Sequence, residues 1–163
     1  MYFQQSDILR GMSRNFLKKF MNIAVKESHR TGYSVFLEGD RASHFFIMLK
    51  GKVNLSIGET SHIIYTIDYP GEAFGWSSLV GRNTYSASAE CKEPTKLIKF
   101  NVRELQRILE EEPSDGLIFF KNLAATIGNR LIQTYMMTSG ASQIDIFTSF
   151  GSGQVIESQE ATL

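Results

Sequence analysis

Short runs of alternating apolar and polar residues, separated by glycine turns, fill the middle of this 163-residue chain. Alternation with a period of two is typical of half-buried strands, and Gly58-Glu59-Thr60 has the composition of a hairpin turn between two of them. Short strands at regular spacing predict a jelly-roll-like β-barrel that spans about residues 32–100. The strand-like segments are residues 33–37, 45–49, 53–57, 63–67, 84–91 and 95–100.

Helical patterns flank these strands on both sides. Residues 7–28 read as helical, with Ser13 as a candidate N-cap. After the strands, Asn101 and Glu104 have the spacing of a capping box for a helix that runs to about Glu112, and Pro113 breaks the chain. A longer helix is predicted over residues 114–138. The fold class is therefore mainly β, with N-terminal helices and a long C-terminal helix.

The long helix carries an apolar seam that favours pairing with a second copy. Leu117, Ala124 and Leu131 are seven residues apart, and Phe120, Ile127 and Thr134 lie between them. This heptad-like spacing is typical of a short coiled-coil contact. We therefore predict a homodimer through helix 114–138. The alternative is that the same seam packs back onto the barrel of its own chain.

Charge and hydropathy argue against nucleic-acid and membrane partners. Lysine and arginine number 17, and aspartate and glutamate number 17, so the formal net charge is zero. A nucleic-acid-binding domain usually shows a basic excess. No segment reaches the roughly 18 apolar residues of a membrane span, and the N-terminus lacks a signal-peptide pattern. These observations predict a cytoplasmic protein, and the partner expected for it is an unidentified protein rather than nucleic acid or a membrane.

Residues that usually carry catalysis or bind metal are scattered. His29, His44 and His62 are isolated, so no metal site is expected. The single cysteine, Cys91, lies in an alternating apolar stretch and is predicted to be a buried structural thiol. No Gly-x-Ser-x-Gly nucleophile motif lies between a strand and a helix. We therefore predict that the chain is not an enzyme and has no certain cofactor.

One segment has the composition of an anion-binding turn. It combines a glycine, two hydroxyl residues at a helical start, a loop and a return to strand; these residues are Phe74, Gly75, Trp76, Ser77, Ser78, Leu79, Tyr85, Ser86 and Ala87. A turn of this kind directs backbone N–H groups toward one point, where they favour an anion.

This segment resembles the phosphate-binding cassette of the cyclic-nucleotide-binding domain family. In that family, Phe-Gly-Glu-x-small-Leu is followed after a gap by Arg-Ser/Thr-Ala; the Glu contacts the ribose 2′-hydroxyl, and the Arg pairs with the cyclic phosphate. The resemblance extends over residues 7–138 and includes the glycine-containing segment 32–42 and Gly51-Lys52-Val53. It implies the family's fold, with a cyclic nucleotide or another small anion as the possible ligand.

The chain departs from the family pattern at both charged positions. Trp76 stands where the family has Glu, and Tyr85 stands where it has Arg. The two aromatic side chains either fill the pocket or form a wall for a different ligand. Arg82, three residues before Tyr85, is a candidate substitute charge, and a solvated loop arginine is the alternative.

The sequence thus favours a stand-alone regulatory or sensor domain over residues 7–138 that does not bind cyclic AMP in the usual way. One alternative is an interaction scaffold without a ligand, and another is a cyclic nucleotide binder with displaced contacts through Arg82. Residues 139–163 are polar and predicted to be a flexible tail. They lack the helical periodicity of the DNA-binding domain that follows in the family's transcription factors, so no DNA-reading helix is expected.

Overall fold

The structure is a computed structural model that describes residues 6–141. The predicted flexible tail therefore lies outside the described residues from residue 142 onward. The chain divides into two compact units, residues 1–128 and residues 129–163. The first unit contains all the strands and the cassette.

Eight strands and three helices make up the described chain. The strands are β1 (Ala24–His29), β2 (Ser34–Phe36), β3 (His44–Lys50), β4 (Val53–Ile57), β5 (His62–Ile67), β6 (Ala73–Phe74), β7 (Ser88–Cys91) and β8 (Thr95–Asn101). The helices are α1 (Arg14–Asn22), α2 (Val102–Glu111) and α3 (Pro113–Ala141), and short 3-10 turns occupy Asp7–Leu9 and Ser77–Val80.

The strands form two antiparallel sheets of four strands each. One sheet has the order β1-β8-β3-β6, and the other has the order β2-β7-β4-β5. The predicted class, mainly β with flanking helices, is confirmed. The strands are arranged as two separate sheets rather than one closed barrel.

Alternation along the strands produces two hydrophobic cores. In β3, Phe46 and Met48 point toward the opposite sheet and pack with residues such as Val53 and Cys91. Phe45 and Ile47 lie on the other face of β3 and belong to the second core, which this sheet forms with the helices. Strands β3, β6 and β8 of this sheet therefore serve both cores, because successive side chains point to opposite faces. Cys91 is fully buried, as predicted, and burial raises the pKa of its thiol.

The prediction of a helix over residues 7–28 is only partly right. α1 ends at Asn22, and Ala24–His29 pairs along its whole length with β8. The six-residue ladder satisfies the backbone of this segment, and such a tertiary contact overrides a weak local helix preference. The sheet therefore begins at residue 24, not at about residue 32.

The predicted helix starts are confirmed by their caps. The Ser13 hydroxyl accepts a hydrogen bond from the Phe16 N–H at 3.1 Å. The Asn101 side chain accepts hydrogen bonds from the N–H groups of Arg103 and Glu104 at 3.0 and 3.4 Å. α3 begins at Pro113, a position that suits proline because the first helical N–H has no partner within the helix. It reaches Ala141, three residues beyond the predicted end at 138.

Candidate functional site

The cassette backbone is held in a conformation that requires glycine. Gly75 has a φ of 74°, and a Cβ atom there would lie 2.8 Å from Cδ2 of Phe46. The 3-10 turn Ser77–Val80 follows, and Gly81 ends it with a φ of 85°. The predicted glycine turn and short helical start are thus present, whereas the strand that follows begins at Ser88 rather than at residue 84.

Tyr85 is a core residue. Its side chain is only 4% exposed, and its ring stacks on Phe36 with the centroids 3.8 Å apart. The hydroxyl donates to the His44 carbonyl at 2.8 Å and accepts from the His44 N–H at 3.1 Å. Burial raises the pKa of the phenol, so the hydroxyl remains protonated and available as a donor at neutral pH. Tyr85 therefore fastens the cassette loop to the start of β3.

The backbone of Tyr85 adds to this attachment. Its N–H donates to the Asp40 carbonyl, and its carbonyl accepts from the Gly39 N–H, both at 2.9 Å. Side chain and backbone together tie the end of the cassette to the turn after β2. A residue held by four hydrogen bonds and a ring stack has little freedom to swing aside for a ligand.

The cavity between Tyr85 and the rest of the cassette is small. Its volume is about 110 Å³, whereas pockets for drug-sized ligands have volumes of about 300–1,000 Å³. No charged side chain is among the lining residues, which are Phe36, Leu55, Ile64, Gly75, Trp76, Ser77, Tyr85, Ser86 and Ala87.

The structure brings together some of the predicted site residues and separates others. Six of them line the cavity: Gly75, Trp76, Ser77, Tyr85, Ser86 and Ala87. Phe74 and Leu79 are buried in the two cores. Ser78 and Arg82 line a different, larger groove, so Arg82 is not placed where the family's arginine would meet a phosphate in this cavity.

Three lining residues were missed by the sequence reading. They are Phe36 of β2, Leu55 of β4 and Ile64 of β5. These three strands belong to one sheet, whereas β6, which ends at the first cassette residue, belongs to the other. Their alternating apolar pattern predicted strands but did not reveal that the two sheets meet at this position.

His44 lies at the edge of the same region. Its Nδ1 is 2.9 Å from the Ser43 hydroxyl. Burial and the nearby Lys99 ammonium lower the pKa of the imidazole below its ordinary value, despite an opposing effect of Glu27. The neutral ring is therefore favoured next to the Tyr85 anchor.

A family model named "Cyclic nucleotide-binding domain" matches residues 26–112, which is more than half of the chain. The chain belongs to this family. The match includes all strands from β2 to β8, α2, the whole cassette and the glycine-containing segments 32–42 and 51–53.

Solved structures of cyclic-nucleotide-binding domains share this fold. A domain from Methylobacillus flagellatus KT has 19% identity and a TM-score of 0.75, covering 89% of this chain and 86% of its own. A protein from Geobacter metallireducens GS-15 has 25% identity and a TM-score of 0.70, covering 80% and 98%. The catabolite activator protein of Thermus thermophilus has 22% identity and a TM-score of 0.66, covering 82% and 62%. None of the curated proteins matches the sequence.

Two further observations concern metal ions and membrane spans. Within residues 6–141, no three His, Cys, Asp or Glu side chains are grouped so that they could hold a metal ion. None of the helices in that part of the chain combines the length and apolar character of a membrane span.

Proposed function

We propose that this chain is a regulatory domain of the cyclic-nucleotide-binding family that does not bind cyclic AMP in the usual way and acts through protein contacts. The burial of Tyr85 carries the proposal. At the position where the family's arginine pairs with the phosphate, this chain has a phenol that is hydrogen-bonded to its own backbone.

The energetics of the missing contacts point the same way. Loss of a charge-assisted hydrogen bond to the ribose weakens binding by about 1.5–3 kcal/mol. A phosphate left without its guanidinium in a closed pocket weakens binding by roughly another 3 kcal/mol. At about 1.4 kcal/mol per decade, a micromolar ligand would lose about three orders of magnitude in affinity or more.

Cavity size adds a steric reason. A cavity of about 110 Å³ is smaller than the roughly 300 Å³ at the lower end of known ligand pockets. Enlarging it on the side of Tyr85 would require this residue to leave its stack on Phe36 and both of its bonds to His44. Because the Tyr85 ring occupies this space as part of the core, the structure supports the interaction-scaffold alternative more than a sensor that binds a different ligand at the cassette.

The exposed apolar side chains of α3 support an output through protein contacts. In the first unit, Leu117 is 73% exposed and Phe120 is 41% exposed, whereas Phe119 and Leu123 are buried in the core. In the second unit, Leu131, Tyr135 and Met136 are exposed. Large apolar side chains exposed on a helix are typical of a contact surface. A homodimer through α3 is the form of contact that we propose.

A thermal melting panel tests the ligand part of this proposal. A ligand at 100 times its Kd stabilises a protein by about 2.7 kcal/mol, which raises the melting temperature of a domain of this size by several degrees. We expect no shift with millimolar cyclic AMP or cyclic GMP. A saturable rise of several degrees with either nucleotide would mean that the pocket opens and the proposal is wrong.

A further inference from the structure

A larger groove is lined by other residues of the cassette turn, Ser78, Gly81 and Arg82. It is a groove of about 910 Å³, and three arginines, Arg41, Arg82 and Arg103, are among its lining residues. No aspartate, glutamate or aromatic residue lines it. This groove is separate from the small cavity beside Tyr85, and the two share no lining residue.

Backbone hydrogen bonds hold the three arginine-bearing segments side by side. Arg41 pairs with Thr84 in an isolated antiparallel bridge, and the Ala42 N–H donates to the Asn83 carbonyl at 2.9 Å. At the start of α2, the Val102 N–H donates to the Ser43 carbonyl at 3.1 Å. Because these segments are fixed to one another, the backbone positions that carry the three arginines are fixed at one groove.

The guanidinium groups have no partner within residues 6–141. Arg41, Arg82 and Arg103 are all exposed, and the ion pairs of the described chain involve other side chains. The carboxylates next to them in sequence are not among the lining residues. Asp40 instead accepts a hydrogen bond from the Leu37 N–H at 3.1 Å. The groove therefore carries uncompensated positive charge in a chain whose formal net charge is zero.

A buried hydroxyl in the wall of the groove lacks a partner. The Ser78 Oγ is inaccessible to solvent and makes no hydrogen bond in the described part of the chain. Buried polar groups are almost always paired, so an orphan of this kind calls for an explanation. Ser78 follows Ser77 in the cassette turn and is the one cassette hydroxyl residue that lines this groove.

We propose that this groove is a second ligand site, outside the cassette pocket, for a small molecule that carries two or more linked phosphate groups. Three guanidinium groups supply planar, multidentate donors that suit phosphate oxygens. The Ser78 hydroxyl, which is buried in this structure, would supply a further donor after its side chain rotates toward the groove. The volume lies within the range of small-molecule sites. Because no aromatic side chain lines the groove, a nucleobase has no stacking partner, and recognition depends on the phosphates.

Titration calorimetry with inorganic pyrophosphate at low ionic strength tests this site. We expect saturable binding that is weakened about fivefold by each of Arg41→Gln, Arg82→Gln and Arg103→Gln, the size of effect typical of an exposed charged contact. Arg30→Gln is the matched control, because Arg30 is exposed on the β1–β2 connection and does not line the groove. We expect this variant to bind pyrophosphate as the wild type does.

Ser78→Ala separates a ligand role from a structural one. If the hydroxyl serves the ligand, the variant binds pyrophosphate several-fold more weakly but keeps the wild-type melting temperature in the absence of ligand. A lower melting temperature with unchanged binding would overturn that role.

Other ligands define the chemistry. Orthophosphate should bind at least tenfold more weakly than pyrophosphate, and ADP and tripolyphosphate should bind about as well as pyrophosphate or better by a small factor. The proposal is overturned by an absence of saturable pyrophosphate binding, by an equal loss in Arg30→Gln, or by orthophosphate binding as tightly as pyrophosphate. ADP binding more than tenfold tighter than tripolyphosphate would overturn recognition through phosphates alone. None of these outcomes depends on whether the cassette pocket binds cyclic AMP.

Discussion

At the scale of single residues, the cassette departs from the family pattern at Tyr85. This side chain is buried in the core, whereas the resemblance implies an arginine that contacts the ligand. The family resemblance places Tyr85 at the position of the family's arginine but leaves two fates open for it. Only the structure reveals the partners that decide between them, because Phe36 and His44 are 49 and 41 residues away along the chain. No local pattern encodes a hydrogen bond to the backbone of a distant strand.

The Tyr85 hydroxyl is expected to contribute to stability. Tyr85→Phe keeps the ring stack but leaves the His44 N–H and carbonyl without this partner, which costs about 1–3 kcal/mol when such groups remain buried. Urea unfolding should show this loss as a lower midpoint with an unchanged slope. Tyr69→Phe is the matched control, since Tyr69 is 72% exposed and should change stability by less than about 0.5 kcal/mol. Equal effects of the two variants would contradict the anchoring role.

His44 is expected to make stability depend on pH. Its pKa is lowered in the folded state, mainly by burial, so folding favours the neutral ring. The contribution is complete above the ordinary value of 6.5 and is lost as the pH falls through and below it, because the unfolded chain then binds the proton more readily. The melting temperature of His44→Gln should therefore fall less than that of the wild type between pH 7.5 and pH 5.5.

The exposed His62 provides the control for this measurement. His62→Gln should keep the wild-type dependence on pH. If His44→Gln loses as much stability on acidification as the wild type does, the protonation of His44 is not responsible.

At the scale of secondary-structure elements, the sequence predicted most of the fold. The hairpin at Gly58, the caps at Ser13 and Asn101, and the long helix after Pro113 follow from local chemistry, and each is present. β1 was misread as helix because its identity depends on pairing with β8, about 70 residues later. Local propensity is a weak guide where a tertiary contact supplies the backbone partners.

The cassette turn gives a test of close packing at this scale. Both Gly75 and Gly81 have positive φ, but only at Gly75 would a Cβ atom meet another atom within 4 Å. Gly81→Ala should therefore show the conformational cost alone, about 1 kcal/mol. Gly75→Ala adds the clash with the Phe46 ring and should be more destabilising by at least about another 1 kcal/mol in urea unfolding. Equal losses would mean that the turn relaxes away from Phe46.

At the scale of the whole molecule, the sheet β1-β8-β3-β6 contributes to both hydrophobic cores. The small cavity beside Tyr85 is lined by cassette residues and by residues of the opposite sheet. Sequence periodicity indicated that the strands and helices bury apolar faces, and the family resemblance supplied their arrangement. What the chain binds could not be predicted in this way, because the small cavity and the arginine groove arise from segments that are distant in sequence.

The exposed apolar residues of α3 lead to a prediction about assembly. We expect the wild-type protein to sediment as a dimer in analytical ultracentrifugation and Leu131→Glu to shift it toward monomer, because a charge in an apolar contact is costly. Gln133→Glu adds the same charge at an exposed position outside the Leu117–Leu131 spacing and should leave the dimer intact. A monomeric wild type, or equal effects of the two substitutions, would contradict a contact through this part of α3.

The central claim is that Tyr85 has converted the cassette pocket into core. Titration of the ¹⁵N-labelled protein with cyclic AMP, followed by NMR at the amides of Gly75, Ser86 and Ala87, tests it most directly, because these residues line the remaining cavity. The account predicts that these resonances stay far from saturation at millimolar cyclic AMP. Saturable shifts at these three amides with a micromolar Kd would contradict it.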